Sequence, residues 1–323
     1  MQILLDKNKK FYKANLHCHS TFSDGKYTPE ELKDKFMAKG YSIVAFTDHE
    51  HIIDQSHLTD ESFLAITSCE VAIKEFPEQS TLKNWNMRVC HLNFYALDPH
   101  NTVTPCYNAV YDHFVKPGFQ DRVQYEHEYE RVYSAAGINE MIRIAKEKGF
   151  IVSYNHPVWS LENATDYLNY EGMFAIEIYN NSVVTHGGSD YTVNAFDDLL
   201  RAGKKVFCTM TDDCHGDDMF GGFVMINAEK LDYDTIMTCL KKGTFYASQG
   251  PEIFGLVREG NKVIVETSEA VQISYSTRGR RTKAVRGENL TKAEFEILPQ
   301  DEYFRITVRD EWGRYAHTQA YEV

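Results

Sequence analysis

The sequence lacks the features that mark several well-known protein classes. Its seven cysteines are odd in number and form no Cys-x-x-Cys pair, so neither a disulfide framework nor a zinc ribbon is predicted. No stretch approaches the roughly 18 uninterrupted apolar residues of a transmembrane helix. Gly-x-Ser-x-Gly, Walker A and Gly-x-Gly-x-x-Gly motifs are absent, which argues against serine hydrolases, P-loop proteins and dinucleotide-binding enzymes. We therefore expect reduced thiols and a soluble, cytoplasmic protein without a membrane partner.

Positive charge is also scarce, because 34 lysines and arginines face 47 acidic residues and the net charge is −13. Strong nucleic-acid binding is therefore not expected, since phosphate backbones attract basic surfaces. A short basic group in the tail does not change this expectation, and a solvated hairpin is its more frequent explanation: Arg278, Arg280, Arg281, Lys283 and Arg286. The composition, 43% hydrophobic and 25% charged, is that of a globular chain with one large or two modest domains.

Short apolar runs alternate with helix-like segments from about Phe11 to Gly250. This alternation predicts a parallel α/β architecture of seven or eight units. Thr28-Pro29-Glu30-Glu31 is typical of a capping box that begins a helix, and Gly40 ends it. After Pro251 the apolar residues recur every second position, which is typical of half-solvated antiparallel strands. We therefore predict an α/β domain over residues 1–250 and a small all-β sandwich over residues 251–323.

The clearest chemical signal is the pair His17 and His19, followed by Asp24, directly after a short apolar run. Side chains i and i+2 of a strand share a face, so both imidazoles can bind one metal ion. Asp213 and His215 repeat this spacing after another predicted strand. Four further candidate ligands lie in or after other predicted strands: His49, Glu70, His91 and His156. Because a β/α barrel gathers its active site at the carboxyl ends of its strands, we predict that all nine meet there.

Four cysteines lie next to these candidate ligands: Cys18, Cys69, Cys90 and Cys214. Neighbouring side chains of a strand point to opposite faces, so these thiols should face away from the site. We expect them to pack as small buried hydrophobic residues.

Five motifs, in this order, resemble those of the PHP (polymerase and histidinol phosphatase) family of metal-dependent phosphoesterases. They are Asn-Leu-His-Cys-His-Ser-Thr-Phe-Ser-Asp-Gly at 15–25, Phe-Thr-Asp-His at 46–49, Glu70, Asn-His-Pro at 155–157 and Asp-Cys-His at 213–215. The chain also resembles a two-domain branch in which a Tyr-Ala-Ser-x-Gly-Pro turn, here 246–251, precedes a β-domain. The resemblance implies a distorted (β/α)7 TIM-like barrel and up to three metal ions.

The resemblance also implies a role for each ligand. A first metal would be held by His17, His19, Glu70 and Asp213. Glu70 would bridge to a second metal, held also by His91 and His156, and a third would be held by Asp24, His49 and His215. Mixed imidazole and carboxylate ligands suit zinc, manganese or iron and do not select among them. Asp213 could also accept a proton from the attacking water, although a purely ligating role is favoured.

We therefore predict an enzyme that hydrolyses a phosphoester of a small metabolite or nucleotide. In such a cluster the metals share a water whose pKa falls toward about 7, so a metal-bridging hydroxide is the expected nucleophile. The branch resemblance leaves carboxylic ester or carbamate hydrolysis on the same site as an alternative. A metal-holding binding or scaffold protein is an alternative of another class. The sequence indicates neither a proton donor for the leaving group nor the oligomeric state.

Some weaker candidates concern the substrate. Four polar residues follow predicted strands and could contact it, although such residues are usually turn formers: Asn155, Asn180, His186 and Gln249. Residues 94–135 form a long, aromatic-rich connection between two predicted strands. Connections of this length are often functional, so one hypothesis is a lid or substrate wall that includes Tyr125 and His127. The other is an aromatic-rich segment that only packs against the protein.

Overall fold

The computed structural model describes residues 1–76 and 86–323, which form a mixed α/β fold. Hydrogen bonds link its sixteen strands into one sheet. Ten strands precede residue 250: β1 (Gln2–Leu5), β2 (Lys10–Asn15), β3 (Tyr41–Phe46), β4 (Leu64–Lys74), β5 (Val89–Ala96), β6 (Phe150–Tyr154), β7 (Ala175–Asn180), β8 (Phe207–Thr211), β9 (Phe223–Ala228) and β10 (Phe245–Ser248). Six follow it: β11 (Ile253–Glu259), β12 (Lys262–Thr277), β13 (Thr282–Glu296), β14 (Tyr303–Arg309), β15 (Tyr315–Thr318) and β16 (Tyr321–Glu322).

The described residues contain six α-helices, and the one predicted after Thr28 is among them. They are α1 (Pro29–Met37), α2 (Ala135–Glu147), α3 (Ala164–Tyr167), α4 (Asn181–Thr185), α5 (Val193–Arg201) and α6 (Tyr233–Lys242). The predicted capping box is confirmed, because Thr28 accepts a hydrogen bond from the Glu31 amide and Glu31 accepts one from the Thr28 amide. No helix in the described ranges is both long and apolar enough to cross a bilayer.

Seven strands, β2 to β8, lie side by side in chain order. β2, β3 and β4 are parallel to one another, as are β6, β7 and β8. The prediction of uniformly parallel strands is wrong for β5, which is antiparallel to both of its neighbours, and for β9, which is antiparallel to β2 and β10. A short buried apolar run has the same sequence pattern in either direction, so the pattern could not show the strand reversal.

The carboxyl ends of β2 and β8 meet directly. Asp213 N donates to His17 O at 2.9 Å, and His19 N donates to Cys214 O at 3.0 Å. Cys18 and Cys214 form a parallel β-bridge between these hydrogen bonds. The two most distant motifs of the sequence are therefore joined through their backbones.

The strands after residue 250 are antiparallel, as their alternation predicts, but they share hydrogen bonds and a core with earlier residues. β1 pairs with β11, and β10 pairs with β15. One apolar core includes Phe36 of α1 together with Ile273 and Phe304 of the C-terminal strands. A second core joins Ile138 of α2 and Leu240 of α6 to the seven strands. The boundary at 250/251 and the separate β-sandwich remain predictions.

The cysteines behave as expected. Every cysteine in the described residues is a free thiol. The four beside candidate ligands are fully or almost fully buried in the apolar cores: Cys18, Cys69, Cys90 and Cys214. The thiols of Cys18 and Cys214 lie 3.0 Å apart, on the opposite side of their strands from the ligand side chains.

Candidate metal centre

All nine predicted ligands gather at one end of the seven strands. They form overlapping groups in which one ligand atom per residue lies within 4.8 Å of the others. Three of these groups consist of predicted ligands: His17, His19, Glu70 and Asp213; Glu70, His91 and His156; and His19, Asp24, His49 and His215. A fourth group joins His17 and His156 to Glu177, which was not predicted. The first two sets coincide with those that the family resemblance implies, and the third contains His19 in addition.

The first group is the most buried. His17 Nε2 lies 3.2 Å from Glu70 Oε1 and 3.1 Å from Asp213 Oδ1. His19 Nε2 lies 3.0 Å from the same Asp213 oxygen and 3.5 Å from Glu70 Oε2. Two imidazoles and two carboxylates therefore converge on one point.

The second group shares Glu70 with the first. Glu70 Oε1 lies 3.0 Å from His91 Nδ1 and 3.2 Å from His156 Nε2. His91 corrects the prediction that every ligand lies at the end of a parallel strand, because it lies inside the antiparallel β5 and pairs there with Ala72. The reversed strand still presents its imidazole to the site, since side chains alternate between faces in either direction.

The third group is the most accessible one. Asp24 oxygens lie 3.6 Å from His49 Nε2 and 3.5 Å from His215 Nε2. The Asp24 and His215 side chains are 41% and 34% exposed, whereas those of His17 and His19 are fully buried. The centre is therefore open to solvent on the side of this group.

The donor atoms fit divalent metal ions. His17 Nε2, His19 Nδ1 and His49 Nδ1 are buried and make no well-directed hydrogen bond among the described residues, although a carboxylate oxygen lies within 3.7 Å of each. Buried polar atoms without a well-directed hydrogen bond are rare in folded proteins, and three of them in one cluster of carboxylates indicate a cation that satisfies them. Imidazole with carboxylate is a donor set suited to zinc, manganese or iron.

The charges of the centre favour metal binding as well. Burial alone would raise the pKa of Glu70 and Asp213, but the surrounding imidazoles, with His91 and His17 foremost, hold both carboxyl pKa values well below their usual range. Burial lowers the pKa of His49 to about 3. Against the opposing effect of burial, the neighbouring carboxylates raise the pKa of His156 to about 9. Ionised carboxylates thus draw positive charge into the site, and a bound metal ion would take the place of these protons.

Sequence reasoning missed Glu177, which lies within the apolar strand β7. Its Oε1 lies 3.1 Å from His17 Nδ1, and its Oε2 accepts a hydrogen bond from His156 N at 3.0 Å. Thr211 and Asn180 donate to it too. A buried carboxylate that contacts two candidate ligands orients them, and an acidic residue inside an otherwise apolar strand was the signal available in the sequence.

Two of the predicted substrate contacts, Asn155 and Asn180, instead donate hydrogen bonds to candidate metal ligands. Asn155 Nδ2 donates to Glu70 Oε1 at 2.9 Å, and Asn180 Nδ2 donates to Asp213 Oδ2 at 2.9 Å. Both asparagines are fully buried, so their amides orient candidate ligands. Gln249 accepts from Tyr315 N at 3.2 Å and joins β10 to β15. His186 ends helix α4 and contacts Ser182 O at 2.8 Å through Nδ1.

The aromatic connection between β5 and α2 reaches the centre through Phe114 and not through Tyr125 or His127. The ring of Phe114 lies 4.7 Å from His49. Tyr125 packs at 4.0 Å on Tyr107, and His127 is exposed. The Trp159 ring lies 5.0 Å from that of His156. An aromatic ring therefore packs beside each of two candidate ligands, His49 and His156.

Comparison with known proteins agrees with this geometry. Residues 15–169 match the family model for the PHP domain. A solved structure from Bacteroides vulgatus, described as a two-domain protein containing a predicted PHP-like metal-dependent phosphoesterase, is 15% identical, with 99% of this chain and 96% of that chain covered at a TM-score of 0.51. This likeness concerns the fold.

A curated relative, the 5′-3′ exoribonuclease of Haemophilus influenzae, is 37% identical over 93 residues, which are 28% of this chain and 32% of the relative. The chain thus matches about a third of that relative's length. The resemblance that the ligand motifs predict is confirmed for residues 15–169, which match the PHP domain.

Proposed function

We propose that this protein is a metal-dependent phosphoesterase that hydrolyses a phosphoester of a small metabolite or a nucleotide. The observation that carries the proposal is the convergence of nine imidazole and carboxylate residues in three overlapping groups. The match of residues 15–169 to the PHP domain supports it, as does the similar two-domain structure, which is described as containing a predicted phosphoesterase of this kind.

The nine residues named above would hold two or three divalent ions. Such ions supply a water that is activated near neutral pH and positive charge for phosphoryl oxygens. Glu70 contacts His17 of the first group and His91 of the second. It would therefore link the two groups. Asn155 and Asn180 fix the carboxylates of Glu70 and Asp213 through their amide hydrogens.

The contacts of Asp213 suit a metal ligand better than a general base. Its Oδ1 lies within 3.1 Å of both His17 and His19, and its Oδ2 accepts a hydrogen bond from Asn180. Against the opposing effect of burial, the imidazoles of His17, His19 and His215 lower the pKa of Asp213, so its carboxylate accepts a proton poorly. We propose that Asp213 binds metal and does not act as the proton acceptor.

The exposed third group is the proposed entrance for the phosphate. Asp24 and His215 are the most exposed candidate ligands, and the rings of Phe114 and Trp159 pack beside His49 and His156. A nucleotide is the favoured substrate, because the exoribonuclease relative is named for cleaving RNA. Metal charge would offset the acidic character of the protein near the phosphate.

We also propose a fold in finer detail. The seven strands β2 to β8, with backbone hydrogen bonds between residues 17–19 and 213–214, correspond to a distorted barrel. The antiparallel strands after residue 250 then correspond to an added β-domain.

The test combines metal content with hydrolysis. Protein purified without chelator is analysed by elemental mass spectrometry, and its turnover of nitrophenyl phosphate is compared with that of nitrophenyl acetate. We expect two or three metal ions per chain and phosphate release that His17→Ala abolishes. His57→Ala is the matched control, since His57 is exposed and pairs only with Glu30 among the described residues.

The other outcomes separate the alternatives. Cleavage of the acetate alone would favour ester or carbamate hydrolysis at the same site. Bound metal without turnover of either compound would favour a binding protein. Protein that binds no metal would overturn the ligand assignment and the proposed function together.

A further inference from the structure

Exposed aromatic side chains continue from the metal centre toward the C-terminal strands. Trp159, Tyr191 and Trp312 are 41%, 36% and 71% exposed, and Tyr315 is half-buried. In the proposed hydrolysis Trp159 only packs beside His156, and the other three have no role. Large aromatic rings exposed close together mark binding surfaces more often than chance exposure.

The first ring of this line adjoins the candidate ligands. Trp159 lies 5.0 Å from the ring of His156 and 5.3 Å from that of His91. Its backbone N donates to Asp190 Oδ2 at 3.0 Å, and Asp190 precedes Tyr191 in the chain. Tyr191 therefore follows directly on the edge of the metal centre.

The second step crosses to the C-terminal strands. The rings of Tyr191 and Tyr315 stack with centroids 5.5 Å apart and planes 23° from parallel. Tyr191 is held in place because its hydroxyl shares a 2.7 Å hydrogen bond with His317 Nε2. Arg309 pairs with Tyr315 in the β14–β15 register, and its guanidinium lies 5.8 Å from that ring.

The turn between β14 and β15 lies on the same edge of the sheet as the ligands. Gly222 N donates to Asp212, the neighbour of the ligand Asp213, at 3.0 Å. The next residue, Phe223, pairs with Ser248 at the end of β10, and Gln249 N then donates to Tyr315 O at 2.9 Å. Trp312 lies in this turn, with the Arg314 guanidinium 4.8 Å from its ring.

We infer that Trp159, Tyr191, Tyr315, Trp312 and Arg309 form one surface that binds a single-stranded oligonucleotide whose terminal phosphate lies at the metal centre. The inference rests on the proposed function and adds a surface outside the centre. Successive bases stack on aromatic side chains whatever their sequence, and arginine adds stacking or a phosphate contact. A row of rings that leads away from a phosphate site therefore fits a single strand better than a lone metabolite.

The charge of the chain agrees with stacking as the main source of affinity. The net charge of −13 disfavours electrostatic attraction of a duplex backbone to the chain as a whole. Arg314 is paired with Asp310 at 2.7 Å, whereas Arg309 makes no ion pair with any described residue. We accordingly expect binding that depends on base stacking and only weakly on salt.

The experiment measures kcat/KM of the metal-loaded full chain on single-stranded oligonucleotides of increasing length and on nitrophenyl phosphate. For the wild type, kcat/KM should rise with length. Trp312→Ala and Tyr315→Ala should each lower kcat/KM on the longer strands by about tenfold and leave nitrophenyl phosphate turnover unchanged, which also shows that they fold. Phe254→Ala is the control, because Phe254 is 45% exposed and its ring stacks on none of the four aromatic rings of the proposed surface.

A wild-type kcat/KM independent of length, or a Trp312→Ala loss that is equal on both substrates, would overturn the inference. Dimerisation that Trp312→Ala abolishes in light scattering, without a length effect, would assign the surface to a second copy of the chain and overturn it too. If nitrophenyl phosphate is not hydrolysed, the proposed function is contradicted, but the inferred surface is not yet tested. Fluorescence anisotropy of a labelled single strand, with the same variants, then still tests the surface.

Discussion

At the residue scale, the two nitrogens of His17 have different tasks. Nε2 faces Glu70 and Asp213, while Nδ1 faces Glu177 at 3.1 Å. Metal-binding histidines commonly donate their second ring nitrogen to a carboxylate, which fixes the tautomer and the ring orientation. Glu177 therefore belongs to the support of the centre, and its own position is fixed by His156 N and Asn180.

Replacing Glu177 by Gln should weaken metal binding about 10- to 100-fold, because His17 loses the charged partner that orients it. Competition with a fluorescent chelator measures this affinity without relying on turnover. Glu162→Gln is the matched control: Glu162 is also buried, but its carboxylate accepts hydrogen bonds from Tyr133, Tyr154 and Tyr170 and contacts no candidate ligand. Equal metal affinity in wild type and Glu177→Gln would show that Glu177 only fills space.

At the scale of elements, one buried ion pair fixes the long connection between β5 and α2. Arg131 Nη2 lies 2.7 Å from Glu50 Oε2, and both side chains are fully buried. Arg131 also donates to Ala72 O at 2.7 Å and to Cys106 O at 2.9 Å. Glu50 follows the candidate ligand His49, so this pair attaches the aromatic connection to the edge of the metal centre.

Arg131→Ala should lower the free energy of unfolding by about 3–5 kcal/mol, because it leaves the Glu50 carboxylate buried without its partner. Urea unfolding followed by circular dichroism measures the loss. The double variant Glu50→Gln with Arg131→Met removes both charges and should lose less than the single variant. A single variant as stable as the wild type would mean that water reaches Glu50 and replaces the arginine.

The same elements show where sequence reasoning succeeds. The capping box at Thr28 and the i, i+2 spacing of His17 and His19 are local patterns, and the structure realises both. The direction of β5 and the question of which aromatic ring of residues 94–135 lies beside His49 depend on contacts between distant segments. A local pattern contains no information on such contacts, so these features could not be predicted.

At the scale of the whole molecule, the centre joins segments that lie far apart in the chain. Its ligands come from residues 17 to 215, on six strands or the loops that follow them. The order of the motifs was sufficient to predict that these ligands meet, because the same motifs occur in the same order in the PHP family. The pairing of β1 with β11 and the core shared by α1 and the C-terminal strands were not predictable, since apolar residues pack on any complementary face.

Because distant segments meet there, metal binding should stabilise the whole chain. An ion that binds only the folded state adds about 2.7 kcal/mol when its concentration is 100 times its Kd. Dialysis against a chelator should therefore lower the Tm, and added manganese or zinc should restore it. His17→Ala should abolish most of this shift, whereas His57→Ala should retain it, as differential scanning calorimetry can measure. A Tm that neither chelator nor metal changes would contradict metal binding at these residues, because the folded chain would then gain nothing from the ion.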